Sequence, residues 1–233
     1  MLKVVIGIQA RTNNTRLPNK CRMIIDGETM LSRVIKAAKK SASYVNNGPS
    51  EIKVSTLLLV PEGDSLKDDF KSMIPVIEGP EEDVLKRYLI AQKKSRADYM
   101  VRITSDCPLI PPFLISKHIV NAIKYDYDYI SNVKEETRTA PDGYDCEVIG
   151  AKILNWADEN ATSKEDREHV TTFIRREPPR WAKLANCIGY TDESHLKLSV
   201  DTQEDLDFVR TYNKILSRKI KIARDSAEGF FRL

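Results

Sequence analysis

Val4-Val5-Ile6-Gly7-Ile8-Gln9-Ala10-Arg11-Thr12-Asn13-Asn14-Thr15-Arg16-Leu17-Pro18-Asn19-Lys20 reads as a buried strand running straight into a basic loop. The continuous β-branched run from Val4 to Ile8 is the pattern of a strand covered on both faces, as in a parallel sheet. The loop that follows lies at that strand's carboxyl end, where open α/β sheets bind their ligands. It carries three cations, Arg11, Arg16 and Lys20, among small polar residues. Such a turn can aim guanidinium forks and backbone N–H groups at phosphate oxygens. It contains no glycine between Gln9 and Lys20, which disfavours both a Walker loop and a G-x-G-x-x-G turn. By its charge alone, a basic loop is more often a solvated surface.

Outward from this stretch, strand and helix signals alternate. Residues 28–40 place Met30, Leu31, Val34, Ile35 and Ala38 on one helical face. Strands are expected over Ile52 to Val60, Pro75 to Ile77 and Tyr99 to Thr104, with a short helix over Ser65 to Met73. Val84, Leu85, Tyr88 and Leu89 form a further helical stripe, and Pro111-Pro112 opens a helix carrying Ile115, Ile119 and Ile123. This order predicts an α/β fold: a mostly parallel central sheet with helices on both faces. Beyond residue 125 the alternation changes. Strands are expected over Asp128 to Asn132, Tyr144 to Ile149, Lys183 to Ile188 and Leu196 to Val200, helices over 151–160 and 164–176, and a last helix on Leu206, Val209, Tyr212 and Leu216. The reading is one domain over 1–233 with a small inserted α+β subdomain at about 133–190.

The 233 residues are 41% hydrophobic and 30% charged, which argues against disorder and suits a chain with a full core. With 37 Lys plus Arg against 34 Asp plus Glu, the net charge is +3. No block of like charge marks a nucleic-acid tail, and no apolar run reaches membrane-spanning length, so neither nucleic acid nor membrane is an expected partner. Cys21, Cys107, Cys146 and Cys187 form no C-x-x-C pair. They read as reduced thiols of a cytoplasmic protein.

Asp106 follows the strand Tyr99 to Thr104, in a turn stiffened by Pro108. Asp201 follows Leu196 to Val200. Two carboxylates at neighbouring strand ends suit Mg²⁺, which takes one or two protein carboxylates and completes its shell with phosphate and water. The competing reading of the second segment is a helix cap, Thr202 with Asp205, which still leaves Asp201 free.

Six segments in order resemble one family: the loop from Gln9 to Lys20, then Gly79 to Tyr88, Arg102 to Leu109, Pro141 to Val148, Arg167 to Thr171, and Val200 to Leu206. The loop is similar to the A-R-x-x-S-T-R-L-P-x-K signature of the cytidylyltransferases that make CMP-linked sugar acids, and nearest to the branch named for the spore coat polysaccharide biosynthesis protein SpsF. The resemblance implies a nucleotidyltransferase fold of the GT-A, Rossmann-like kind. It implies CTP as one substrate, a sugar acid or a phosphate or phosphonate as acceptor, release of pyrophosphate, and a homodimer joined through the insert. Arg11, Lys20, Asp106 and Asp201 would be catalytic, with Asp106 and Asp201 holding the metal. Ala10, Arg16, Gly79, Glu82, Asp83, Thr104 and Ser105 would join Arg11 and Lys20 around the nucleotide. Asp142, Asp145, Glu147, Arg167 and His169 would face the acceptor.

The chain departs from the family where Asn13, Asn14 and Asn19 stand for loop glycines, and where Ser105 stands for a glycine. Asn best tolerates left-handed backbone angles after glycine. Two alternatives remain. A glycosyltransferase would use a D-x-D metal motif, for which Asp126-Tyr127-Asp128 has the spacing. A non-catalytic nucleotide-binding protein would bind without turnover.

Overall fold

The structure is a computed structural model and describes residues 1–48 and 51–230. Seven strands form one sheet in the order β5-β4-β1-β6-β8-β7-β9. β1 (Leu2–Gln9) sits between β4 (Ile52–Pro61) and β6 (Tyr99–Thr104), parallel to both, and β5 (Val76–Gly79) extends the parallel set beyond β4. β8 (Glu147–Gly150) runs antiparallel to β6 and to β7 (Tyr129–Ser131). β9 (Leu184–Asn186) runs parallel to β7 at the edge. The sheet is therefore mostly parallel, as the alternating first half requires.

The apolar run of β1 divides between two cores because successive side chains point to opposite faces. Val4, Ile6 and Ile8 join Leu31, Val34 and Ile35 of α1 (Met30–Asn46), Leu66 of α2 (Leu66–Phe70), and Ile115 and Ile119 of α4 (Pro112–Lys124). Val5 joins Leu85 and Tyr88 of α3 (Val84–Ser95), Ile153 and Leu154 of α5 (Ala151–Asn160), and Ile174 of α7 (Thr172–Arg176). Gly7 lies on that second face. A Cβ there would come within 2.8 Å of the Tyr88 ring, and the Tyr88 hydroxyl donates to the Gly7 carbonyl at 2.9 Å. A third, smaller cluster joins Leu17 of the basic loop, Ile25 of the β2 (Ile24–Ile25) and β3 (Glu28–Thr29) hairpin, Val200, and Leu206 and Val209 of α8 (Gln203–Phe230). The segment 133–190 contributes β8 and β9 to the common sheet and α5, α7 and α6 (Lys164–His169) to its second face.

Two sequence expectations are corrected. Leu196 to Val200 is no ladder strand: its one bridge pairs Lys197 with Asp142. Its other backbone groups bind loops, with Asp142 accepting from the Leu198 and Ser199 amides and Asp106 accepting from the Val200 amide at 2.9 Å. The helix expected over 164–176 is broken into α6 and α7. Val170 closes a γ-turn (φ 65°, ψ −53°), the Thr171 amide donating to the His169 carbonyl at 2.6 Å. Apolar periodicity cannot register such a break, because Val170 and Ile174 stay buried on the same face.

Candidate active site

The basic loop is held at several points. The Thr12 amide and hydroxyl both donate to Asp64, at 2.8 and 3.1 Å, and the Asn14 side chain donates to the Arg11 carbonyl at 2.8 Å. Leu17 anchors the middle of the loop in the third cluster. Asn19 takes the left-handed conformation (φ 57°) expected of a glycine stand-in, while Asn13 and Asn14 do not. Asn13 reaches Glu81 at 3.3 Å instead.

The loop ends by burying Lys20 in a 3-10 turn, Lys20–Arg22. Its Nζ donates to Asp106 Oδ2 at 2.9 Å, Asp201 Oδ1 at 3.1 Å and the Val200 carbonyl at 2.9 Å. The two carboxylates are brought together by their backbones, since the Val200 amide donates to the Asp106 carbonyl. Asp142 and Gly143 brace the far side of that segment. Gly143 has φ 104°, and a Cβ there would lie 2.5 Å from the backbone between Leu198 and Ser199, so only glycine lets the chains approach. The Thr104 hydroxyl binds the other oxygen of Asp106, and Arg16 reaches Asp201 at 3.1 Å.

Burial opposes the charge on Lys20, but Asp106 and Asp201 outweigh it and set its pKa above the ordinary lysine value. Burial likewise opposes the charge on Asp106, and Lys20 with Thr104 holds its pKa below the ordinary carboxylate value. The adjacent Cys21 and Cys107 thiols are pushed up by burial and are neutral near pH 7. Asp106 and Asp201 are hard oxygen donors from separate segments that already share one positive charge, so the donor set fits a divalent ion of the magnesium type. Among the described residues no group of three or more His, Cys, Asp or Glu is placed to hold a metal. An ion at this pair would therefore draw its remaining ligands from phosphate and water.

Above the cluster lies a cavity of about 300 Å³, lined by the loop, the carboxyl ends of β1 and β6, α3 and the end of α6. A family model described as cytidylyltransferase matches residues 4–228. The chain belongs to the cytidylyltransferase family. It is similar to the spore coat polysaccharide biosynthesis protein SpsF of Bacillus subtilis, with 26% identity over 90% of this chain and 86% of that protein. It is also similar to an uncharacterized protein of Methanocaldococcus jannaschii, with 31% identity over 88% of this chain and 80% of that protein. A solved cytidylyltransferase from Leptospira borgpetersenii superposes with a TM-score of 0.78 at 25% identity, covering 90% of this chain and 86% of that one. This cytidylyltransferase is thus a nucleotidyltransferase enzyme built on the family's α/β fold.

Of the residues singled out from the sequence of this cytidylyltransferase, Ala10, Arg11, Arg16, Lys20, Thr104, Ser105, Asp106, His169 and Asp201 all line the cavity. The others lie outside its lining. Gly79 packs against Arg87, and Glu82 is exposed. Asp83 caps α3 by accepting from the Lys86 amide, and it pairs with Arg167, which also binds Asp158. Asp142 accepts from Ser199, and Asp145 pairs with Arg138. Glu147 is sealed in the sheet, where Arg102, the Tyr129 hydroxyl and the Thr171 hydroxyl take its oxygens. Asp83, Asp142, Asp145, Glu147 and Arg167 are thus each bonded to other protein groups outside that lining.

Sequence reasoning missed Gln9, Arg87, Arg102 and Glu168, which line the same cavity. Glu168 meets Arg11 at 3.5 Å. Arg87 and Arg102 had a legible signal. Arg87 stands on the apolar helical stripe of Val84, Tyr88 and Ala91 on α3, and Arg102 stands between Val101 and Ile103 on β6. The D-x-D motif of the glycosyltransferase alternative lies elsewhere. Asp126-Tyr127-Asp128 precedes β7, which runs in the same direction as β6, so it sits at the amino edge of the sheet, opposite the cavity. There Asp128 accepts from the Lys183 amide.

Proposed function

We propose that this cytidylyltransferase is Mg²⁺-dependent and transfers CMP from CTP to a sugar acid or a phosphate- or phosphonate-bearing acceptor, releasing pyrophosphate. The observation that carries this reading is the Lys20–Asp106–Asp201 cluster at the foot of the basic loop. Arg11, Arg16 and Lys20 would hold the triphosphate, so that the acceptor oxygen attacks the α-phosphorus in line with departing pyrophosphate. Asp106 and Asp201 would hold the metal, which supplies neutralisation of charge developing on the leaving group. Lys20 would then exchange its carboxylates for phosphate oxygens. His169, which lines the wall formed by α6, would orient the acceptor.

The same reading places the enzyme in the cytoplasm, in the synthesis of surface polysaccharide or glycoconjugate precursors. Among the described residues no helix is long and apolar enough to cross a membrane. The exposed Trp181, Ile188 and Tyr190 at the end of the insert support a homodimer through that region.

A pyrophosphate-release assay with CTP, a panel of sugar acids, phosphates and phosphonates, and either Mg²⁺ or a chelator tests the reading. Turnover that needs both CTP and the metal is the expected result. No turnover with any acceptor, together with no shift of the melting temperature by CTP, overturns it, because a bound ligand must stabilise the native state.

A further inference from the structure

Among the described residues, three carboxylates line the cavity: Asp106, Asp201 and Glu168. The first two hold Lys20. Glu168 stands on another wall. Val170, just past the end of α6, is buried in the core of the sheet's second face, whereas Cys21, next to Lys20, is buried in that of the first. The two walls therefore rise from opposite faces of the sheet and meet over its carboxyl edge. Glu168 reaches Arg11 at 3.5 Å, with 47% of its side chain exposed. Among the described residues it has no other ion-pair partner. An exposed pair of this length holds its members weakly. A triphosphate draws Arg11 away, because a guanidinium binds phosphate oxygens through two parallel bonds.

The backbone that carries Glu168 is held in an unfavourable form. Val170 has φ 65°, a region that β-branched residues avoid. Several bonds enforce the turn. The buried Thr171 hydroxyl donates to Glu147 at 2.5 Å. Asp166 accepts from both Nη atoms of Arg176, at 2.9 and 2.8 Å, and from the Thr172 hydroxyl at 3.1 Å. Strain kept in place this firmly beside a cavity marks a site where the direction of a side chain matters. The turn leaves the last two residues of α6, Glu168 and His169, on the cavity wall. Of the two, Glu168 is the one tied to a phosphate-holding cation. Among the described residues, no bond joins the His169 side chain to Arg11, Arg16 or Lys20.

Resting on the CTP-using function proposed above, we infer that Glu168 is the general base that takes the proton of the acceptor's attacking hydroxyl. Once Arg11 turns to the triphosphate, the Glu168 carboxylate stands beside the phosphates with its lone pairs free. The acceptor oxygen bonds to the α-phosphorus as its proton passes to a Glu168 oxygen. The bond from the α-phosphorus to the bridging oxygen breaks, and its electron pair leaves with pyrophosphate. The proton then passes to water, which the exposed side chain meets. Attack comes from the α6 wall, opposite Lys20, Asp106 and Asp201, as an in-line displacement requires. A phosphate or phosphonate acceptor is already ionised. It needs no base and is repelled by Glu168, so the assignment narrows the acceptor to one that attacks through a hydroxyl.

The test compares wild type, Glu168→Gln and Glu168→Ala in two measurements. In calorimetric titration with CTP and Mg²⁺, Glu168→Gln is expected to bind CTP about 2- to 5-fold more tightly, the size of one exposed ion pair that CTP no longer has to break. Unchanged or weaker binding means that CTP does not part Glu168 from Arg11, and overturns the assignment. In pyrophosphate release with the sugar-acid panel, kcat of both variants is expected to fall about 10²- to 10⁴-fold, with the KM for CTP no higher than that of wild type. Formate is expected to restore part of the turnover of Glu168→Ala, where it enters the vacated space, and none to Glu168→Gln. A structural role gives no such rescue. Near-normal kcat in Glu168→Gln, or no rescue of Glu168→Ala, overturns the assignment. If the variants fail to fold, wild type decides: turnover of a sugar acid but not of methylphosphonate supports it, and the reverse overturns it. Wild type that neither binds CTP nor turns over any acceptor is a different result, because it removes the CTP-using function itself along with the role of Glu168.

Discussion

Two clusters of paired charges flank the same cavity and are built differently. In one, Arg102 and Glu147 are locked together on adjacent strands, with Tyr129 and Thr171 taking the remaining bonds of the carboxylate. In the other, Lys20 lies between Asp106 and Asp201, whose side chains are 28% and 22% exposed to the cavity. The carboxylate of the first is saturated and sealed in the sheet, so it has no bond to offer a ligand. The second is a cation on a flexible stem, held by two carboxylates that open onto the cavity, and its partners can be exchanged. Burial alone therefore does not separate structural from chemical charges. What separates them is whether the carboxylate has unfilled bonding capacity facing the cavity.

The largest expected effect falls on the saturated cluster. Glu147→Gln leaves Arg102 buried without its counter-ion and is expected to lower unfolding stability by about 3–5 kcal/mol, read by denaturant melts. Specific activity per folded molecule is expected to stay near that of wild type. The same contrast has a pH signature. Burial opposes the charge on Glu147, but Arg102, Thr171 and Tyr129 outweigh it and hold its pKa below the ordinary 4.5. On acidification the unfolded chain takes the proton first. The contribution is therefore complete above the ordinary glutamate value and is lost as pH falls below it toward the depressed folded value. Melting profiles of wild type and Glu147→Gln are expected to converge over that acid range. Parallel profiles down to the acid limit would contradict the saturated-cluster account.

On the exchangeable cluster, Asp106→Asn is expected to reduce turnover by about 10²- to 10³-fold, the size of one lost electrostatic contact to a transition state. Its melting temperature should stay close to that of wild type, since Asp201 still pairs with Lys20. Normal turnover in this variant would remove Asp106 from the metal site. The smallest effect is expected at the opposite edge of the sheet. Asp128→Asn is expected to leave turnover unchanged and to lower stability by about 1 kcal/mol, the value of one hydrogen bond at an exposed turn. A turnover defect there would revive the D-x-D reading.

The parallel sheet and the loop of three cations were legible because each depends on local pattern: the β-branched run Val4 to Ile8 and the charges directly after it. Asp106 and Asp201 were legible by position, each following an extended apolar segment. Their meeting through Lys20 was not, because it depends on a loop-to-loop bond between Val200 and Asp106 that has no periodicity. The acidic group Asp142, Asp145 and Glu147 looked like a binding surface because sequence shows charges but not their partners. Ser199, Arg138 and Arg102 supply those partners from 57, 7 and 45 residues away. The break at Val170 was hidden for a related reason: an apolar residue in a γ-turn keeps the helical stripe intact.

A crystal structure with CTP and Mg²⁺ bound tests the central claim most directly. The exchange account predicts the Lys20 ammonium on phosphate oxygens, with the divalent ion bonded to both Asp106 and Asp201. Lys20 still bridging the two carboxylates, with nucleotide and ion bound elsewhere, would contradict it.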